Sequence, residues 1–140
     1  MIRKSRLPLG IESRVATLGG ALARCSGVVF AYLFGGAARD DIKPLSDVDV
    51  GVYLDESVDP FEARLEVLGV TTAHLGTDEV DLVVLNTAPT ALAGRILQTR
   101  RVIYDRDPSC RHRFESRVLR QFCDFRILEH RLLARRFAGG

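Results

Sequence analysis

The eight residues "DVDVGVYL", 47–54, alternate without a fault. Val48, Val50, Val52 and Leu54 fall on one side, and Asp47, Asp49, Gly51 and Tyr53 on the other. Only an extended chain puts residues i and i+2 on one face, so the stretch reads as a β-strand laid against a core. Its other face opens with two carboxylates, about 6–7 Å apart along the strand. Their repulsion costs stability unless something positive lies between them.

The flanking sequence supplies the rest of a small sheet. "VVFAYLF" (28–34) is a short apolar run rich in β-branched and aromatic residues, hence a buried strand ended by Gly35-Gly36. "EVDLVVLN" (79–86) and "RVIYD" (101–105) read as further strands. Helical spacing runs through 10–25, weakened by Gly19-Gly20. It returns over 60–69, with Pro60 in the first turn, and over 89–100, opened by Pro89. A long helix spans about 108–137. Its stripe of Phe114, Val118, Phe122, Phe125, Leu128 and Leu132 is expected to pack in the core. "AARDD" suits a short helical turn, and "KPLS" a loop. The expected fold is α+β, a small mixed β-sheet with helices packed on it. At 140 residues the chain suits one domain, with its core over about 10–105 and the C-terminal helix over about 108–137.

Composition narrows the function. No run of 18 apolar residues exists, and the basic start lacks an apolar signal core, which points to a soluble cytoplasmic protein without a membrane partner. Cys25, Cys110 and Cys123 are odd in number and form no CxxC, so they read as reduced, mostly packed thiols. His74, His112 and His130 lack zinc-ligand spacing. Residues 1–94 hold 8 Lys and Arg against 13 Asp and Glu, whereas residues 95–140 hold 12 arginines against 5 acids. Such asymmetry marks either a face for an acidic or polyanionic partner or a solvated helix surface.

The acids carry the chemistry. Hard divalent cations such as Mg²⁺ take carboxylate oxygens and share their other positions with water and phosphates. Asp81, a lone acid between Val80 and Leu82, can join Asp47 and Asp49 if the two strands are neighbours. The absent side chains of Gly35 and Gly36 let backbone N–H groups approach an anion, with a helical turn from Ala37 aimed at it. Arg39 can add a charge-assisted phosphate contact, and Ser46 can orient a carboxylate or touch a nucleotide. Lys43 and Tyr53 have weaker parts, as a phosphate contact and a base-stacking ring, against plainer readings as a loop lysine and strand-end packing. A Walker A loop, a GxGxxG fingerprint and an EF-hand loop are all absent. Alone, a DxD is more often a capped polar turn. Here it alternates against a clean apolar face, and a third acid stands in a second strand.

Taken together, these residues resemble the minimal nucleotidyltransferases of the DNA polymerase beta superfamily. Their hallmark is a GS pair, ten residues, DxD, then a third acid on a later strand. Gly35-Gly36, residues 37–46, Asp47-Val48-Asp49 and Asp81 follow that spacing. "RILQTRRVIYDRD" and the arginine-rich terminal helix are similar to the MntA-like antitoxin branch, which is paired with HEPN-domain toxins. The resemblance covers about residues 28–137. It implies a polymerase-beta-like fold and Mg²⁺-dependent transfer of AMP from ATP to a tyrosine hydroxyl of a partner HEPN toxin, with no direct nucleic-acid binding. It assigns Asp47, Asp49 and Asp81 to the metal and to catalysis, and Gly35, Gly36, Arg39 and Ser46 to the nucleotide. Other readings are an antitoxin that acts by binding alone, or an aminoglycoside-type small-molecule nucleotidyltransferase, for which little chain remains as a substrate domain. The sequence departs from the family at Gly36, where a serine is usual, and at Asp40, where a glycine is usual. One charge-assisted hydrogen bond lost is worth about 1.5–3 kcal/mol, on the order of tenfold to hundredfold in nucleotide affinity.

Overall fold

The computed structural model describes residues 7–38 and 47–138. Four strands form one sheet in the order β3-β2-β1-β4. They are β1 (Val28–Phe34), β2 (Val48–Leu54), β3 (Val80–Val84) and β4 (Arg101–Asp105). β1 runs antiparallel to β2 and β4, and β2 runs parallel to β3. A parallel neighbour requires a crossover, which is the helix α3 (Pro60–Leu75). Asp59 caps α3 by accepting from the N–H groups of Phe61 and Glu62. Gly76, in the left-handed region, ends it. The helix is six residues longer than its sequence signal, because Thr71 is fully buried and continues the packed face.

Each face of the sheet has its own core. On one side, Val48, Val50, Val52 and Leu54 pack with Ala31 and Leu33 against α1 (Ile11–Ala16), α2 (Leu18–Leu22) and α3. The expected helix over 10–25 is therefore two short ones, broken at Thr17. Gly19 lies so close to β4 that a methyl group there would meet the carbonyl oxygen of Ile103. The glycine that weakens the helical signal is what lets α2 settle on the sheet.

On the other side, Phe30, Tyr32, Leu85, Ile96 and Leu97 pack with Phe114 and Val118. These come from β1, the 3-10 turn Leu85–Thr87 that follows β3, α4 (Thr90–Thr99) and α5 (Pro108–Ala138). Buried on both faces, β1 needs no polar alternation, which is why it reads as an unbroken apolar run. The stripe of α5 is only half core. Phe114, Val118 and Phe122 are buried, but Phe125, Leu128 and Leu132 are 43%, 57% and 56% exposed. Every residue from 123 to 136 is exposed, because the helix outruns the body it packs on. Among the described residues, no helix is long and apolar enough to cross a membrane.

Candidate active site

The acidic face of β2 changes character along its length. At the far end Tyr53 stacks on Phe30, ring centroids 4.9 Å apart, and tilts against Phe114 at 5.4 Å. That is packing, the plainer of its two readings. In the middle, Gly51 leaves room for Leu85, whose Cδ2 would sit 3.2 Å from an added methyl group. Towards the start of the strand this core gives out, and Asp49 is half-buried at its margin.

Strand register then assembles the acids. Asp49 pairs with Asp81 across the parallel β2–β3 ladder, whose strands lie about 4.8 Å apart. Asp81 is exposed, and Asp47 is half-buried just before β2. On the other flank Asp49 pairs with Phe34, the last residue of β1, so Gly35 turns beside it. Gly35 has φ of 65°, and a methyl group there would lie 2.6 Å from Asp49 Oδ2. Only glycine gives both that backbone and that clearance.

Two expectations for the glycine turn change. The Gly35 N–H does not point to open space; it donates to Thr99 Oγ1 at 3.0 Å. The helical turn is three residues of 3-10 geometry, Gly35–Ala37, too short to present a helix dipole. Arg39 and Ser46, with Asp40 and Lys43, lie outside the described residues. Thr99 carries no sequence signal, because it stands 64 residues from its partner in another element.

The donor chemistry suits a hard cation: Asp49 and Asp81 are neighbouring carboxylates, with Asp47 two residues away. Among the described residues, however, no three Asp, Glu, His or Cys side chains converge to hold an ion. The arrangement therefore fits Mg²⁺ as it is commonly held, by one or two carboxylates with substrate phosphates completing the shell, rather than a closed protein cage. A cavity of about 920 Å³ lies at the opposite end of the sheet, between the β2–α3 turn and the first turns of α5, lined by Tyr53, Asp55, Arg106, Arg113 and Arg117 among others. Its volume does not make it the active site, because it holds none of the three aspartates.

Behind the glycine turn lies a buried ionic network. Glu115 accepts from Tyr32 Oη at 2.7 Å, from Arg100 Nε at 2.8 Å and from Arg111 at 3.0 Å. Arg111 also donates to Asp105 at 2.7 Å. Burial pushes the Glu115 carboxyl upward, but the Tyr32 hydrogen bond and the charges of Arg100 and Arg111 outweigh it and hold the pKa below the usual value. Burial, then the bond to Glu115, drives the Tyr32 phenol far above its ordinary value. Arg111 is thus structural, unlike its solvated neighbours on α5.

A glycine turn beside a DxD strand, with a third acid on the adjacent parallel strand, defines a nucleotidyltransferase fold. Residues 18–109 match the family "Polymerase beta, Nucleotidyltransferase", and the chain belongs to that family. No curated protein sequence matches it. Solved structures share the fold, among them the following three. A toxin-antitoxin structure with AMP-PNP matches at TM-score 0.67 and 21% identity, over 88% of this chain and 95% of that one. The MNT antitoxin in complex with a tri-AMPylated HEPN toxin of Shewanella oneidensis matches at TM-score 0.65 and 18% identity, over 89% and 96%. The MntA-HepT toxin-antitoxin matches at TM-score 0.61 and 21% identity, over 89% and 94%.

Proposed function

We propose that this protein is an antitoxin that transfers AMP from ATP to a tyrosine hydroxyl of a partner HEPN toxin. The observation that carries the reading is the pairing of Asp49 with Asp81 beside the left-handed Gly35. Carboxylates so placed can share a cation with a nucleotide triphosphate. Mg²⁺, when bound, neutralises charge on the phosphates and orients the α-phosphorus. In the transfer, the tyrosine oxygen bonds to the α-phosphorus and the bond to the bridging oxygen breaks. Pyrophosphate leaves with that electron pair, and the hydroxyl proton passes to a carboxylate. Asp47 and Asp49 hold the cation; Asp81, the exposed acid of the pair, completes the metal site and takes that proton. Gly36, with Arg39 and Ser46, contacts the triphosphate.

The partner is supported by two things. The solved structures that share the fold include complexes of antitoxins with HEPN toxins. This chain also carries an exposed, apolar and arginine-rich length of α5 that its own body does not cover. A second reading, neutralisation by contact alone, is favoured by Gly36 in place of serine and by the engagement of the Gly35 N–H with Thr99.

One assay separates the two. The chain is incubated with its candidate toxin, Mg²⁺ and α-labelled ATP, and label is followed on the toxin. Transfer by the wild type, falling at least a hundredfold in Asp49→Asn, is expected. Toxin inhibition without label, equal in wild type and Asp49→Asn, would establish contact alone and sink the enzyme reading.

A further inference from the structure

We infer that Thr99 is a positioning residue of the nucleotide site, holding Gly35 and through it the Asp49 carboxylate. The inference rests on the nucleotidyl-transfer reading and adds to it a residue from α4, which contributes none of the acids.

Three contacts form a line. Thr99 Oγ1 accepts the Gly35 N–H at 3.0 Å, in a part-buried position. Gly35, at φ of 65°, leaves the space into which Asp49 Oδ2 projects. Asp49 stands in register with Asp81. Glycine takes positive φ about as readily as negative, so its own preferences do not hold this turn and its surroundings must. Backbone groups within the turn do not fix the Gly35 N–H, because its partner is a side chain from another element. Without that acceptor a part-buried donor is left unsatisfied, and the turn is free to rotate. Asp49 then loses the wall that seats it.

Thr99 is itself held. It is the last residue of α4, and the next residue, Arg100, donates to the Leu97 carbonyl and to Glu115. Glu115 is fixed in turn by Tyr32 and Arg111. The buried network therefore sets where the end of α4 stands, and Thr99 passes that position to the glycine turn. This gives the α4–β4 junction a part in the site that its distance from the DxD conceals. Valine has the shape of threonine without the acceptor, and serine has the acceptor without the methyl group, so the pair isolates the hydrogen bond.

The test compares full-length wild type, Thr99→Val and Thr99→Ser. Amide hydrogen exchange at Gly35 is read without ligand, and affinity for AMP-PNP is read in Mg²⁺ buffer. Thr99→Val is expected to lose Gly35 protection and to bind AMP-PNP at least tenfold more weakly. Thr99→Ser is expected to restore both to within about threefold. Unchanged exchange in Thr99→Val, or a serine variant as impaired as the valine one, overturns the inference. Failure of the wild type to bind AMP-PNP would strike the nucleotide reading instead, and the exchange at Gly35 would still decide whether Thr99 holds the turn.

Discussion

Glu115 shows how one residue can serve the fold away from the chemistry. It is 6% exposed and accepts hydrogen bonds from three side chains, two of them cations. Removing the charge from a buried, fully bonded carboxylate strands its partners. Glu115→Gln is expected to lose on the order of 2–3 kcal/mol at neutral pH, as hydrogen bonds to charged groups are worth about 1.5–3 kcal/mol. The pH dependence follows from the sign of the shift. The folded carboxyl titrates below its ordinary value of 4.5, so its contribution is complete above that value. It fades as pH falls through the lower, folded one. Urea titrations at pH 7, 5, 4 and 3 should therefore show the gap between wild type and Glu115→Gln closing below about pH 4.5. A gap that stays constant down to pH 3 would mean that folding does not shift the pKa of this carboxyl, so that its charge is not what the network stabilises.

At the scale of elements, α5 is two structures on one helix. Its first four turns bury Phe114 and Val118 in the core beneath the sheet and Phe122 against Gly94 of α4; the remainder carries Phe125, Leu128 and Leu132, all exposed. Phe114→Ala is expected to cost about 3–5 kcal/mol, as truncation of a buried aromatic does. Leu132→Ala, 56% exposed, should change stability by less than about 0.5 kcal/mol. Thermal melts of the two variants check this, and a large loss in Leu132→Ala would show that the overhang is covered in the isolated chain. This element also marks where sequence reading stops. Periodicity gives the direction of a helix face but not the point at which the body under it ends, so six apolar positions read as one stripe. The strands were legible, because alternation in 48–54 and the apolar run of 28–34 each have one geometric meaning. The spacing from Gly35 to Asp47 and Asp49 was legible as a motif, and the pairing of Asp49 with Asp81 followed from the strands being neighbours. Thr99 and Glu115 were not legible, since their partners stand 64 and 83 residues away. No local pattern encodes a contact made only when helix and sheet close.

For the molecule as a whole, the two ends of the charge distribution fall on different parts. The acids of the candidate site lie at the start of β2 and on its neighbour β3, an edge strand. The solvated arginines lie along α5, where Arg126, Arg131, Arg135 and Arg136 flank the exposed apolar residues against only Asp124 and Glu129. Under the proposed function these are separate tasks, chemistry at one surface and capture at the other. Long-range attraction between solvated charges is screened within about 8 Å at physiological ionic strength, whereas contacts at a partly buried site are screened far less. Raising NaCl from 50 to 500 mM should therefore slow association with the toxin at least tenfold, and Arg131→Glu with Arg135→Glu should reproduce that loss at low salt. Label transfer within the preformed complex should change less than threefold in either case. Stopped-flow association and single-turnover transfer measure the two separately. Salt-independent association would place capture on some other surface, and a matching fall in single-turnover transfer would show that the arginines of α5 belong to the chemistry after all.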